Sequence, residues 1–188
     1  AFTPTLLESE LFGHEQAAFA EAHRRRIGRL QEAGQGLVYL DGIADMGLEI
    51  QHKLSRVLTE RRFRPLGSRQ ELPLRARIVV GSNRDLVREV RERRFYQPLL
   101  LQLNGLRIAL PPLRERIEDL EPLAHHIIFR KAKELALPVP ALETAVLRLL
   151  QRQPWPGNIR ELATVIENAL IHAKGGTLAP TDFQLLPE

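Results

Sequence analysis

Leu37-Val38-Tyr39-Leu40-Asp41 is a brief, branched apolar run ending in an acid, and it reads as a buried strand that leads into a polar turn. Two further runs share that character, Ile78-Val79-Val80 and Leu106-Arg107-Ile108-Ala109-Leu110. Between the first two, residues 49–58 place Ile50, Leu54, Val57 and Leu58 at helical spacing, which predicts an amphipathic helix. A turn at Gly67 then marks a hairpin insertion. Strands alternating with helices call for an α/β layer with a mostly parallel sheet.

Past Pro111-Pro112 the pattern is helical throughout, over 117–136, over 141–151 and from near Asn158 onward. Pro156-Gly157 breaks the chain ahead of the last helix, Asn158 is placed to cap it, Glu161 stands in the capping-box position, and Gly175-Gly176 stops it. Ile159, Leu162, Ile166, Ala169 and Leu170 line its apolar face. The expected division is an α/β unit over residues 1–112 and a helical lid over 113–188, the second being light for an independent domain.

With 188 residues, 44% of them hydrophobic and 27% charged, the chain can bury one core with a small satellite. Cys is absent, which excludes disulfides and thiolate metal sites and agrees with a reducing cytoplasm. No apolar run approaches the ~20 residues that span a bilayer, so no membrane partner is expected. Nothing resembles a signal segment, and Ala1, standing where a Met would start, is read as a cut or processed end. The net charge is +4, and because Lys occurs only at Lys53, Lys131, Lys133 and Lys174 the cations are nearly all Arg. Arg suits phosphate through its planar fork. Yet Arg24-Arg25-Arg26, Arg61-Arg62 and the arginines of 91–94 are interleaved with acids and lack the aromatic spacing of a stacking platform, so ordinary surface charge is the favoured reading.

Upstream of the first strand, Leu7-Glu8-Ser9-Glu10-Leu11-Phe12-Gly13-His14-Glu15 runs into Gln16-Ala17-Ala18-Phe19-Ala20-Glu21-Ala22. This stretch resembles the signature LESELFGHEKGAFTGA of the AAA+ ATPase domain of sigma-54-dependent transcription activators, the bacterial enhancer-binding proteins. With the motifs that follow, the resemblance covers nearly the whole chain, from Leu7 to about Asp182. It implies an AAA+ P-loop-type three-layer α/β/α sandwich followed by a small α-helical lid. In the family the GAFTGA part is a loop that touches the sigma factor. Ala17, Ala18, Phe19, Ala20, Glu21 and Ala22 occupy it here, without its two glycines or its threonine hydroxyl and with an added carboxylate, which argues against the usual sigma contact.

The same resemblance assigns the other positions. Leu37 to Asp41 matches a Walker B strand, so Asp41 would hold the magnesium of a bound ATP or ADP. Gly42 stands where the family has the Glu that polarises the attacking water. Val80-Gly81-Ser82-Asn83-Arg84-Asp85-Leu86 is similar to A-A-T-N-R-D-L, which makes Asn83 the γ-phosphate sensor, although Asn at a strand end is also ordinary turn chemistry. In Arg94-Phe95-Tyr96-Gln97-Pro98-Leu99-Leu100-Leu101-Gln102-Leu103-Asn104, the two arginines that reach into a neighbouring subunit's nucleotide fall on Tyr96 and Gln102. Neither carries a cation, though Arg93 or Arg94 would substitute after a shift in register. Pro111-Pro112-Leu113-Arg114-Glu115-Arg116 matches the link between subdomains. Trp155-Pro156-Gly157-Asn158-Ile159-Arg160-Glu161-Leu162 matches the lid motif, whose Arg, here Arg160, meets nucleotide phosphates at a helix start. The alternative is that Arg160 pairs with Glu161 or another acid.

No G-x-x-x-x-G-K-[ST] phosphate loop occurs in the sequence. The resemblance puts that loop about one supersecondary unit before Leu7, together with a strand that enters the sheet between neighbours present here, so the sandwich is expected to be incomplete at its N-terminus. Three readings compete. The first is a degenerate regulatory or oligomerisation module with weak or no ATP hydrolysis, self-associating as a dimer or ring. It would be joined to a receiver or sensor domain, as in two-component systems, and to a DNA-binding domain, both outside this sequence. The second is an active ATP-dependent sigma-54 activator, and the third a regulator responding to a nucleotide or dinucleotide.

Overall fold

The computed structural model describes residues 4–173 and 176–183. Ala1 and the expected helix stop at Gly175 lie outside them. The chain divides into two compact units, Ala1–Arg107 and Ile108–Glu188.

The first unit runs α1 (Pro4–Phe12), β1 (Gly13–His14), β2 (Arg26–Ile27), α2 (Arg29–Glu32), β3 (Leu37–Leu40), α3 (Leu48–Glu60), β4 (Arg62–Phe63), β5 (Leu72–Pro73), β6 (Arg77–Val80), α4 (Leu86–Arg91) and α5 (Gln97–Leu103). β3 and β6 pair in parallel, from Leu37 opposite Arg77 to Leu40 opposite Val80. The expected hairpin is β4 paired antiparallel with β5. α3 buries Ile50, Leu54 and Val57 on one face, each worth about 1.5–3 kcal/mol. It ends where Arg61 turns left-handed at φ 56, which redirects the chain into β4. α4 begins at Asp85, whose carboxylate accepts the N–H groups of Val87 and Arg88.

One expected strand is absent. Residues 106–110 are irregular, and Leu106, Ile108 and Leu110 are 85%, 75% and 83% exposed. A strand exists only when a neighbour takes its backbone groups, and among the described residues none pairs with this segment. Among the described residues nothing covers its apolar side chains, despite a strand-like composition.

The second unit holds α6 (Leu120–Glu134), α7 (Thr144–Gln151) and α8 (Asn158–Ala173), with short 3-10 turns at Leu113–Glu115, Ile117–Asp119 and Pro180–Asp182. Its core gathers Leu113, Leu120, Ala124, Ile127, Ile128, Val146, Leu150, Trp155, Leu162, Ile166, Ala169, Leu170, Leu178 and Phe183. The start of α8 departs from the expected cap. Asn158 sits at φ 53 as the first helical residue, and its Oδ1 accepts the Leu113 N–H at 2.8 Å. Glu161 reaches back instead to the Gly157 N–H at 2.7 Å. Half of the box survives one residue earlier, because a tertiary acceptor role has taken the Asn side chain away from its own helix.

Candidate functional site

Parallel pairing carries the ends of β3 and β6 to the same place. Pairing continues past the strands, with Gly81 N–H donating to Leu40 O at 2.8 Å and Ile43 N–H to Gly81 O at 3.0 Å. Asp41, Gly42 and the Gly81 to Asn83 turn therefore meet outside the carboxyl ends of parallel strands, where α/β sheets place ligands. Asp41 Oδ1 accepts the Gly42 N–H at 3.0 Å and the Tyr39 hydroxyl at 3.3 Å. The Asp41 charge, then partial burial, then this hydrogen bond hold the Tyr39 phenol above its ordinary pKa. Asn83 is exposed, while its neighbour Ser82 closes the turn by bonding the backbone of Arg84.

Gly42 adopts φ 66, ψ 38 and opens the 3-10 turn Ile43–Asp45. A Cβ at this position would stand 3.1 Å from Asp45 Oδ2. A neighbouring carboxylate thus fills the space beside the residue that lacks one, but it is already neutralised by Arg84 Nη2 at 2.8 Å. Arg84 also approaches Glu89 at 3.7 Å. Arg94 grips that buried Glu89 through Nε at 2.7 Å and Nη2 at 2.8 Å and also pairs with Glu92. The Arg94 hydrogen bonds are the largest influence holding the Glu89 carboxyl below the usual range. Arg94 is therefore committed within its own loop. Arg93, at φ 57, is exposed with no side-chain partner among the described residues.

Tyr96 and Gln102 both turn toward α3. The Tyr96 ring lies 3.9 Å from that of His52, and the Gln102 amide donates to the Thr59 hydroxyl. Fully buried Gln51 fixes this junction. Its amide donates to Met46 O at 2.6 Å and Arg94 O at 3.3 Å, while its oxygen accepts the Tyr96 N–H at 2.8 Å. His52, Thr59 and Gln51 carry no motif that marks them in the sequence.

The loop at residues 17–22 is closed by Ala17 N–H to Ala22 O at 2.8 Å and Ala22 N–H to Phe19 O at 2.9 Å. Phe19 sets its edge on buried His14 at 4.9 Å. The His14 Nε2 bonds Arg24 O at 2.9 Å, and its Nδ1 bonds the Ser9 hydroxyl at 2.7 Å. A carbonyl only accepts, so His14 carries its proton on Nε2 here. Among these residues the left-handed backbone falls on Ala17, at φ 62, where the family has its first glycine. Glu21 has no positive φ, so the loss of the second glycine adds charge there without backbone strain. The loop base is tight, because a Cβ on Gly28 would stand 2.2 Å from Gly13 N.

In the second unit Arg160 is exposed on the first turn of α8 and has no ion pair among the described residues. The pairing with Glu161 is not formed, since that carboxylate holds Gly157.

Among the described residues no group of three or more His, Cys, Asp or Glu side chains is placed to hold a metal. A lone carboxylate, Asp41, is unsuited to a structural metal cage. It does fit magnesium, a hard cation that keeps its waters and takes one or two protein oxygens along with phosphate. Elsewhere, a cleft between α3 and the β4–β5 hairpin is lined by Lys53, Arg56, Arg62 and Arg64. Each of these cations already faces Glu8, Glu60 or Glu71.

Known proteins share this fold. Residues 1–109 match the model of the sigma-54 interaction domain, and residues 114–186 match an AAA+ ATPase lid domain. The chain belongs to the sigma-54 interaction domain family. Similar curated proteins include the formate hydrogenlyase transcriptional activator FhlA of Escherichia coli, 44% identical over 92% of this chain and 25% of its own length. The DNA-binding transcriptional activator HyfR of the same organism is 42% identical over 95% of this chain and 27% of its length. The regulatory protein AtoC, also from E. coli, is 40% identical over 97% and 40%. The sigma-54 interaction domain described here thus spans about a quarter to two-fifths of these relatives. Among solved structures, NtrX from Brucella abortus in complex with ADP superposes with a TM-score of 0.89 at 28% identity, over 98% of this chain and 41% of that one. Its complex with ATP gives a TM-score of 0.87 at the same identity. The fold is therefore AAA+, an α/β unit with a helical lid. No helix of the described residues is long and apolar enough to cross a membrane.

Proposed function

We propose that this chain is a degenerate AAA+ module of the sigma-54-interaction type, serving regulation or self-assembly in a transcription regulator, that it binds ATP or ADP, and that it has lost most hydrolysis. The observation that carries the last point is the inward engagement of Tyr96 on His52 and of Gln102 on Thr59. Residues at the arginine-finger positions are neutral and bonded to their own subunit, so no cation from them meets charge on a transferred phosphoryl group. Fingers contribute about 10³–10⁵ in turnover. Gly42 adds to this, since a general base typically contributes about 10²–10⁴. Such a module regulates by assembling with copies of itself and responding to nucleotide, with DNA contacted through another domain.

Nucleotide binding is assigned to Asp41 with magnesium, to Asn83 and to Arg160. The free guanidinium of Arg160 at a helix start supports its part. Isothermal titration of the full-length protein with ADP checks it: Arg160→Ala is expected to weaken binding about tenfold, as loss of a charge-assisted contact of about 1.5 kcal/mol implies. An unchanged affinity makes Arg160 structural.

The closed loop at 17–22 is assigned no sigma contact of the usual kind. Ala20 lacks the hydroxyl and Glu21 brings an exposed negative charge. Capture of purified sigma-54 by the full-length protein with an ATP transition-state analogue is expected to stay at the level seen without nucleotide. Strong nucleotide-dependent capture favours an active activator instead.

A further inference from the structure

Tyr39 stands at the candidate site beside Asp41. β3 alternates, so Val38 packs into the core while Tyr39 stands on the opposite face of the strand, 57% exposed. Its ring runs along the sheet toward the strand end and brings its hydroxyl to Asp41 Oδ1 at 3.3 Å. This path crosses Gly81, the residue just past the paired strand β6. A Cβ there would stand 2.3 Å from the Tyr39 hydroxyl oxygen and 2.9 Å from Asp41 Oδ1. Gly81 has no positive φ, so steric room for the phenol, rather than backbone freedom, is what its missing side chain supplies. Tyr39, Asp41 and Gly81 therefore pack against one another at the strand end.

The chemical consequence lies at the carboxylate. Two donors, the Gly42 N–H and the Tyr39 hydroxyl, converge on Oδ1, whereas Oδ2 accepts no hydrogen bond among the described residues. A carboxylate held by one oxygen has its plane fixed, and the second oxygen keeps its lone pairs for an outside donor. We propose that Tyr39, seated over Gly81, is a positioning residue for Asp41, holding Oδ1 so that Oδ2 is presented to a magnesium-bound water of a nucleotide complex. The proposal rests on the nucleotide-binding reading above. Outer-shell partners of this kind typically contribute about 10–100-fold in metal affinity. At 3.3 Å this bond is long for O–H···O, which places the expected effect at or below the lower end, about threefold to tenfold.

The test uses the full-length protein with ADP, with manganese as the spectroscopic substitute for magnesium. Electron paramagnetic resonance reports the loss of free Mn²⁺ on binding, and ADP affinity in chelator is measured alongside. Tyr39→Phe and Gly81→Ala are both expected to weaken Mn²⁺ binding about threefold to tenfold while leaving ADP affinity in chelator unchanged. The double variant should be no worse than Gly81→Ala, because the added Cβ already displaces the Tyr39 hydroxyl and also crowds Asp41 Oδ1 at 2.9 Å, whereas Tyr39→Phe removes the hydrogen bond alone. Unchanged Mn²⁺ affinity in Tyr39→Phe overturns the proposal, and so does an equal loss of metal-free ADP binding, which indicates a merely structural role. If the wild type binds ADP equally with and without Mn²⁺, the positioning role fails and the nucleotide reading stands. If it binds ADP in neither condition, both fail.

Discussion

Gly42→Glu alone is expected to leave steady-state phosphate release by the full-length protein at background. The variant restores a carboxylate to the position from which the family orients water, but the site resists it twice. The residue stands at φ 66, where a side chain costs about 1–2 kcal/mol. Its new Cβ would also meet Asp45 Oδ2 at 3.1 Å, setting two carboxylates side by side with Arg84 to share. Beyond that local obstacle, on the proposed reading Tyr96 and Gln102 still leave the developing phosphoryl charge without cations from an adjacent subunit. The two deficits act on one transition state, so correcting one leaves the barrier raised by the other. Only Gly42→Glu combined with Tyr96→Arg and Gln102→Arg is expected to raise turnover, by about 10³-fold or more over wild type on the scales for general bases and arginine fingers. Brisk hydrolysis by the wild type, or by Gly42→Glu alone, means that another acid and another arginine have taken over these roles.

Trp155→Ala is expected to produce the largest loss of stability, confined to the lid unit. Trp155 is 1% exposed and lies in the core with Leu150, Leu162 and Ile166. Removing the indole leaves a cavity that helix packing closes only in part, at about 3–5 kcal/mol. It also strands the Leu150 carbonyl, which accepts the indole N–H at 2.8 Å. Trp155→Phe keeps most of the volume and loses mainly that bond, about 1–2 kcal/mol. Urea unfolding followed by circular dichroism should show the lid transition moving to lower denaturant in the order wild type, Trp155→Phe, Trp155→Ala. Equal midpoints for the two variants would show that the hydrogen bond, rather than the packed ring, carries the effect.

Much of this protein is legible without coordinates where the governing physics is local. Helical spacing of Ile50, Leu54 and Val57, the Gly67 turn and the apolar runs of β3 and β6 each encode their element within a dozen residues, and all form. Asp41, Gly42, Asn83 and Arg160 are singled out by the family resemblance at fixed offsets from a strand or helix end, and their roles remain part of the proposed function. Leu106 to Leu110 shows the opposite case. Its composition matches that of a strand, yet strand formation depends on a neighbour that no local pattern can guarantee, and none is present among the described residues.

Tertiary structure decided what the identified residues are bonded to. Asn158 carries a capping signature but gives its oxygen to Leu113, forty-five positions away. Tyr96 and Gln102 are read from sequence only as missing cations; their engagement with His52 and Thr59 depends on how α5 packs on α3. The same holds for Tyr39 over Gly81. A glycine after a strand does hint at a close approach, but which atom approaches is set by the parallel register of β3 and β6. Sequence determined the family and most of the elements, because propensity and motif spacing act over short separations. Orientation, occupancy and the remaining freedom of each site atom were settled only by the fold, since those depend on contacts between residues that the chain itself keeps apart.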